Sequence, residues 1–248
     1  MAKRVAIQET FSIPSRGKLY ADIPEKFTLR AMTTVEEKMR LAGSGFETIP
    51  NIIKACTVEP KEYDVFQLKP FDMQFLMYKL RTVTYGADYK ISLTCPFCGR
   101  KHEKVVNLDE IETKYLDDDS IKEPLEIGPL PISGDVIGAK ILSMQDTIDI
   151  EKEAKRILDK FPEYVGDPEF ILNYQYRILT VNGDPVPKHK IQNYVENMHA
   201  RDMRFFDSRY NQAAADLGMD LIMTEHCGCG EDFEYRLPIT SEFFRPEY

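Results

Sequence analysis

The sequence predicts an α+β protein: two β-hairpins flank a long helical insertion, with an extended arm before them and a tail after. Three observations carry this. The stretches TCPFCGRKH (94–102) and EHCGCGEDF (225–233) each interrupt a run in which apolar and polar residues alternate, the period of a strand. Between them, residues 143–218 carry apolar residues spaced by threes and fours with capping residues at the breaks, the period of helices. Before them, IPSRGKLY (13–20) holds Pro14 and Gly17, which break any helix.

The elements follow in order. Residues 1–26 read as an extended N-terminal arm, with Tyr20 as an anchor. After FTLRAMTT a helix starts at Thr33 or Thr34, where Glu36 and Glu37 stand three residues later as a capping box requires, and it stops near Gly43. ETIPNIIKACTV supplies a second short helix. Lys69-Pro70-Phe71 opens a third, with Pro70 in the first turn and Phe71, Phe75, Leu76 and Leu80 on one face. Tyr89, Ile91 and Leu93 then alternate as a strand that runs into Cys95, and the chain continues as a second strand towards residue 108. From 109 to 135 comes a loop rich in acid and proline. Its DDDS (117–120) reads as a solvated turn, lacking the Gly and distal Glu of a calcium loop. VIGAKIL (136–142) is a strand, and Ser143 caps a helix reaching Phe161. Further helices are expected over 168–181, ending at Asn182-Gly183, from Pro187, and through Met203, Phe206, Tyr210, Ala213 and Leu217 to Gly218. Alternation returns at Met219, Leu221 and Met223, and again at Phe233, Tyr235 and Leu237. The organisation is therefore an arm (1–26), a mixed α/β part (27–108 and 219–240), a loop plus helical insertion (109–218) and a tail (241–248).

Bulk properties narrow the function. The chain has 248 residues, 43% hydrophobic and 29% charged, enough for a sizeable core. No apolar run is long enough to span a membrane, and MAKRVAIQETF lacks the apolar core of a signal peptide, so the expectation is a protein made in a cytoplasm. The net charge is −9, and KHK (188–190), the densest basic cluster, reads as a solvated loop. Without a basic stripe or a base-stacking platform, no nucleic-acid partner is expected. The sequence contains no phosphate loop, no nucleophile elbow and no zinc-protease helix motif. His189 and His199 have no nucleophile partner in sequence.

The cysteines carry the one chemical signal. Cys56 stands alone among apolar neighbours and reads as a small buried side chain. Cys95, Cys98, Cys227 and Cys229 form two pairs at hairpin tips, each followed by glycine, as in the two knuckles of a zinc ribbon. The second pair is irregular. Its C-x-C spacing leaves His226 as an alternative to Cys227, and His102 is a fifth candidate beyond the first knuckle. Four ligands close a tetrahedral shell, so one structural Zn2+ per chain is expected and no catalytic one. Glu103, Glu225 and Glu231 read as ordinary strand-tip charges. Roughly 130 residues separate Cys98 from Cys227, and loop closure costs entropy only logarithmically in length, so the ion is expected to tie together the ends of the insertion. The tail SEFFRPEY (241–248) has aromatic side chains that must either fold back on the core or dock on a partner; the docking tail is the expectation retained.

The order IPSRGKLY, FTLRAMTTVEEK, LRTVTYGADYKISLTCPFCG, helical block, CGCG and FFRP resembles the baseplate protein family of T-even-like contractile-tailed bacteriophages, of the baseplate hub subunit type. The C-x-C knuckle departs from a paired C-x2-C pattern. The resemblance implies a non-enzymatic structural or assembly subunit of a phage tail baseplate. Such a subunit contacts other baseplate, hub or tail-tube proteins, in the virion and in the host cytoplasm during assembly. The alternative is a zinc-ribbon nucleic-acid-binding regulatory protein, which the net charge opposes. A metal-dependent hydrolase lacks an open coordination position.

Overall fold

KFTLR alternates, and its strand buries every second residue. The structure, a computed structural model, describes residues 7–43, 45–117, 122–239 and 241–244. Strand β1 (Gln8–Ser12) pairs antiparallel with β2 (Lys26–Arg30), whose Phe27 and Leu29 are fully buried. The segment between them is no free arm. Ile13 is fully buried, and the chain turns through Arg16 (φ 51°) and Gly17 (φ 73°). A Cβ on Gly17 would meet the Ile23 carbonyl oxygen at 2.8 Å, so this turn requires glycine. From residue 7 onwards, the predicted arm is thus a strand and a turn packed on the body.

The capping signals place the next helices. In α1 (Thr34–Ala42) Thr33 is the cap: its hydroxyl accepts from Val35 N at 3.2 Å, and the Glu36 carboxylate accepts from Thr33 N at 2.8 Å. Helix α2 (Thr48–Cys56) leads into β3 (Thr57–Glu59), which joins the other edge of β2. Helix α3 (Pro70–Tyr85) is the central column. Phe75, Leu76, Tyr78 and Leu80 are buried in the main core, whereas Phe71 points into a second core. Arg81, also buried, donates to Asp88 O at 2.8 Å and to Gly86 O, tying the helix end to the strand that follows.

That strand, β4 (Asp88–Thr94), pairs over its whole length with β5 (Lys101–Asn107). The insertion adds β6 (Thr113–Lys114), β7 (Leu125–Ile127), β8 (Ile137–Ala139), α4 (Met144–Lys160), α5 (Pro168–Arg177), β9 (Ile178–Val181), β10 (Asp184–Pro185), α6 (Lys188–Glu196) and α7 (Ala200–Ala215). It leaves through β11 (Gly218–Met219) into a second hairpin, β12 (Ile222–His226) and β13 (Asp232–Arg236).

Three expectations change here. The helix expected over 168–181 stops at Arg177, and Ile178–Val181 is a strand in the sheet β10-β9-β8-β7. Ile-Leu-Thr-Val is rich in β-branched residues, and Asn182 (φ 54°) with Gly183 (φ 85°) makes the tight turn of a hairpin rather than a helix stop. KHK (188–190) opens α6 instead of forming a loop. In the tail expected to dock, Ser241–Phe244 is a single 3-10 turn that folds inward. Phe243 is fully buried, edge-on to Tyr78 at 4.9 Å and Tyr89 at 5.2 Å, and Phe244 is buried beside it. Residues 245–248 lie outside the described residues, as do 118–120 of DDDS.

Two cores result. The main one gathers residues from Ile13 to Ile111 and from Leu221 to Phe244; the second gathers Phe71 and residues from Leu116 to Leu217. A smaller cluster of Leu142, Ile150, Ala154 and Leu172 lies under α4 and α5. The cores meet at Lys69, whose Nζ lies 2.9 Å from Glu123 Oε1 and donates to Ile141 O at 2.6 Å. The insertion also closes on itself, because β6 pairs with β11 and Asp220 N donates to Glu112 O at 2.8 Å.

Candidate metal centre

Each hairpin delivers its cysteines through the same closed turn. In β4–β5, Cys95 N donates to Arg100 O and Gly99 N to Cys95 O, both at 2.9 Å. In β12–β13, Cys227 N donates to Glu231 O and Gly230 N to Cys227 O, again at 2.9 Å. Gly99 (φ 72°) and Gly230 (φ 96°) hold the corresponding left-handed position. The second knuckle is therefore the first with one residue fewer, and Cys227 stands where Cys95 stands.

The four sulfurs converge. All Sγ atoms lie within 4.8 Å of one another, with Cys98–Cys227 at 3.5 Å and Cys95–Cys229 at 4.0 Å. A disulfide needs about 2.05 Å. Sulfurs about 2.3 Å from one tetrahedral ion stand roughly 3.8 Å apart, so the spacing fits four ligands around a shared centre. Cys95 and Cys227 are buried and Cys98 and Cys229 are exposed, which puts the cluster where the core meets the surface.

The thiols differ in acidity. Burial opposes ionisation of Cys95, but the backbone amides of Cys98 and Phe97 outweigh it and bring the thiol down to about 7. For Cys227 the Cys229 amide favours the thiolate, yet burial and the neighbouring sulfurs push it up to about 12. Four thiolates cannot share this volume without a cation, and a divalent ion removes the conflict.

The other candidates lie elsewhere. His226 is exposed on its strand and its Nδ1 lies 2.6 Å from Asp232 Oδ1. His102 is on β5, opposite Leu93, its ring 6.0 Å from that of Phe233. Glu225 forms an ion pair with Lys104 between the two hairpins. Glu231 contributes only its carbonyl to the turn, and Glu103 is exposed on β5. Cys56 is fully buried, and burial pushes its thiol up to about 12. His199 caps α7, accepting from Arg201 N at 3.1 Å.

Sequence reasoning missed the buried polar networks. Asp72 is fully buried and accepts from Ser15 N at 2.9 Å and from Tyr20 OH at 2.5 Å, while Tyr20 OH accepts from Lys69 N at 2.8 Å. Ser15 and Tyr20 of PSRGKLY are held in this network, Tyr20 as the anchor the sequence predicts. Asp202, equally buried, accepts from Ile132 N at 2.7 Å and Ser133 N at 3.0 Å. Asp72 and Asp202 occupy helical positions that look like ordinary first-turn acids in the sequence. Among the described residues, no helix is long and apolar enough to cross a membrane.

The family model described as T4 bacteriophage base plate protein matches residues 6–245. No curated protein and no solved structure matches the chain.

Proposed function

The chain belongs to the T4 bacteriophage base plate protein family, and from that premise we propose that it is a non-enzymatic structural or assembly subunit of the hub region of a phage tail baseplate. It acts through protein–protein contacts with other baseplate, hub or tail-tube proteins. The family match over residues 6–245 supports the baseplate part of this reading.

Cys95, Cys98, Cys227 and Cys229 would hold one structural Zn2+, making the two hairpins a zinc ribbon. What supports this is an all-sulfur donor set at tetrahedral spacing between two matching turns. The ion would supply a cross-link between hairpins far apart in sequence, and no step of chemistry. The division into a ribbon-bearing part (27–108 and 219–240) and an insertion (109–218) belongs to the same reading.

Mass spectrometry of purified virions, tails and tail-assembly intermediates tests the placement. The chain is expected in at least one of these, with host cytoplasm as its site before assembly. Its absence from all of them overturns the reading. Native mass spectrometry of metal-replete protein is expected to show one zinc per chain. Iron or no metal overturns the zinc assignment while leaving the baseplate assignment standing.

A further inference from the structure

The connection between α4 and α5, with the helix ends it joins, leaves apolar side chains partly in water. Leu158 is 45% exposed, Phe161 53%, Tyr164 39%, Val165 95% and Phe170 48%. The backbone beneath them has a defined shape. Tyr164 N donates to Phe161 O at 2.9 Å, and Asp167 caps α5 by accepting from Glu169 N at 2.9 Å. The small core around Ile150 and Leu172 does not include them; Lys160 Nζ lies 5.2 Å from the Phe161 ring centre, and Phe170 packs edge-on to Tyr174 at 5.3 Å. Five exposed apolar side chains within thirteen residues are a candidate contact surface.

The surrounding charges select the partner. Asp159, Glu163, Asp167 and Glu169 stand exposed on the tip against Lys160, and the next basic groups, Lys155 and Arg156, lie a turn back along α4. Within 158–170 the exposed acids outnumber Lys160, the one base, so a two-fold contact centred on the tip would set a net-acidic surface against itself, which favours a basic partner over a second copy of the chain. We propose that the tip 158–170 docks on a different tail protein, through a segment presenting apolar side chains flanked by Lys or Arg. This rests on the baseplate reading and gives it a contact point.

The test places a photo-crosslinking benzoyl-phenylalanine at Phe161 and, separately, at Val165 of the full chain during phage infection. Tail complexes containing the chain are irradiated and the joined peptides are sequenced. Both positions are expected to join one segment of another tail protein, apolar and flanked by basic residues. Asp159→Asn with Glu163→Gln is expected to lower the yield by about threefold at physiological salt. Cross-links to a second copy, to an acidic segment, or none from a chain present in the complex, overturn the proposal. A chain missing from every tail complex overturns the baseplate reading as well, a result distinct from a chain that is present but uncrosslinked.

Discussion

At residue scale, His226 and Cys227 show how a backbone decides which donor faces the sulfur cluster. Both could coordinate an ion, but the turn closed by Cys227 N and Glu231 O aims the Cys227 sulfur inward and leaves His226 on the strand with Asp232. Cys227→Ser is therefore expected to abolish metal retention in native mass spectrometry, and His226→Ala to leave it unchanged. Asp72 gives a second test. Burial raises its pKa from 3.8 to about 6, against the opposing hydrogen bonds from Ser15 and Tyr20. A carboxyl raised on folding stabilises fully below its unfolded value and loses that contribution as pH rises through its folded value. Stability from this group should thus fall between pH 4 and 6, by at most about 3 kcal/mol. Asp72→Asn should flatten that part of the profile in urea titrations. Glu36 acts in the opposite sense. The Arg30 hydrogen bond holds it down at about 2, so its contribution is present above its ordinary 4.5 and is lost only as pH falls towards 2.

At element scale, residues 109–218 would depend less on an ion at the four cysteines than their number suggests. The β6–β11 pair and the Asp220–Glu112 hydrogen bond already bring the two ends of this segment together, so the loop that the cysteines must close is short. Chelation is therefore expected to raise amide exchange at 95–100 and 227–231 while α4 to α7 keep their protection. Loss of protection throughout α4–α7 would show that the cluster, and not this ladder, fastens the insertion. Local rules made much of this architecture readable. Thr33-Glu36 and Ser143-Asp146 are complete capping boxes, and Tyr89, Ile91 and Leu93 bury by simple alternation. What stayed hidden is decided by distant partners. Ile178–Val181 becomes a strand because β8 offers an edge, and β6 exists only because β11 returns to meet it. The cysteines of the candidate site were legible because thiolates in tight turns have few other uses. The ladder beside them, only two residues per strand, leaves no period to read.

At the scale of the whole molecule, the question is whether two cores behave as one folding unit. Helix α3 argues that they do, since Phe71 fills one core while Phe75 and Leu76 fill the other on the same rigid element. The contact at its start reinforces this. The Lys69 side chain is only 8% exposed and its ammonium is shared between Glu123 and Ile141 O, while Glu123 also accepts from Ile141 N at 2.7 Å. Removing Lys69 strands the charge of Glu123, which is 23% exposed, so the cost stays below the roughly 3–5 kcal/mol of a fully buried pair. If the cores are coupled through α3, that loss is felt on both sides of it. Lys69→Met should then lower protection against amide exchange equally at Tyr89 in the main core and at Ile178 in the second. A fall at Ile178 alone would mean that the insertion unfolds by itself and that α3 transmits nothing. Phe243→Ala applies the same test from the opposite end of the chain. It removes a ring packed on Tyr78 and Tyr89, costs about 3–5 kcal/mol, and should lower protection at Ile178 as much as at Tyr89.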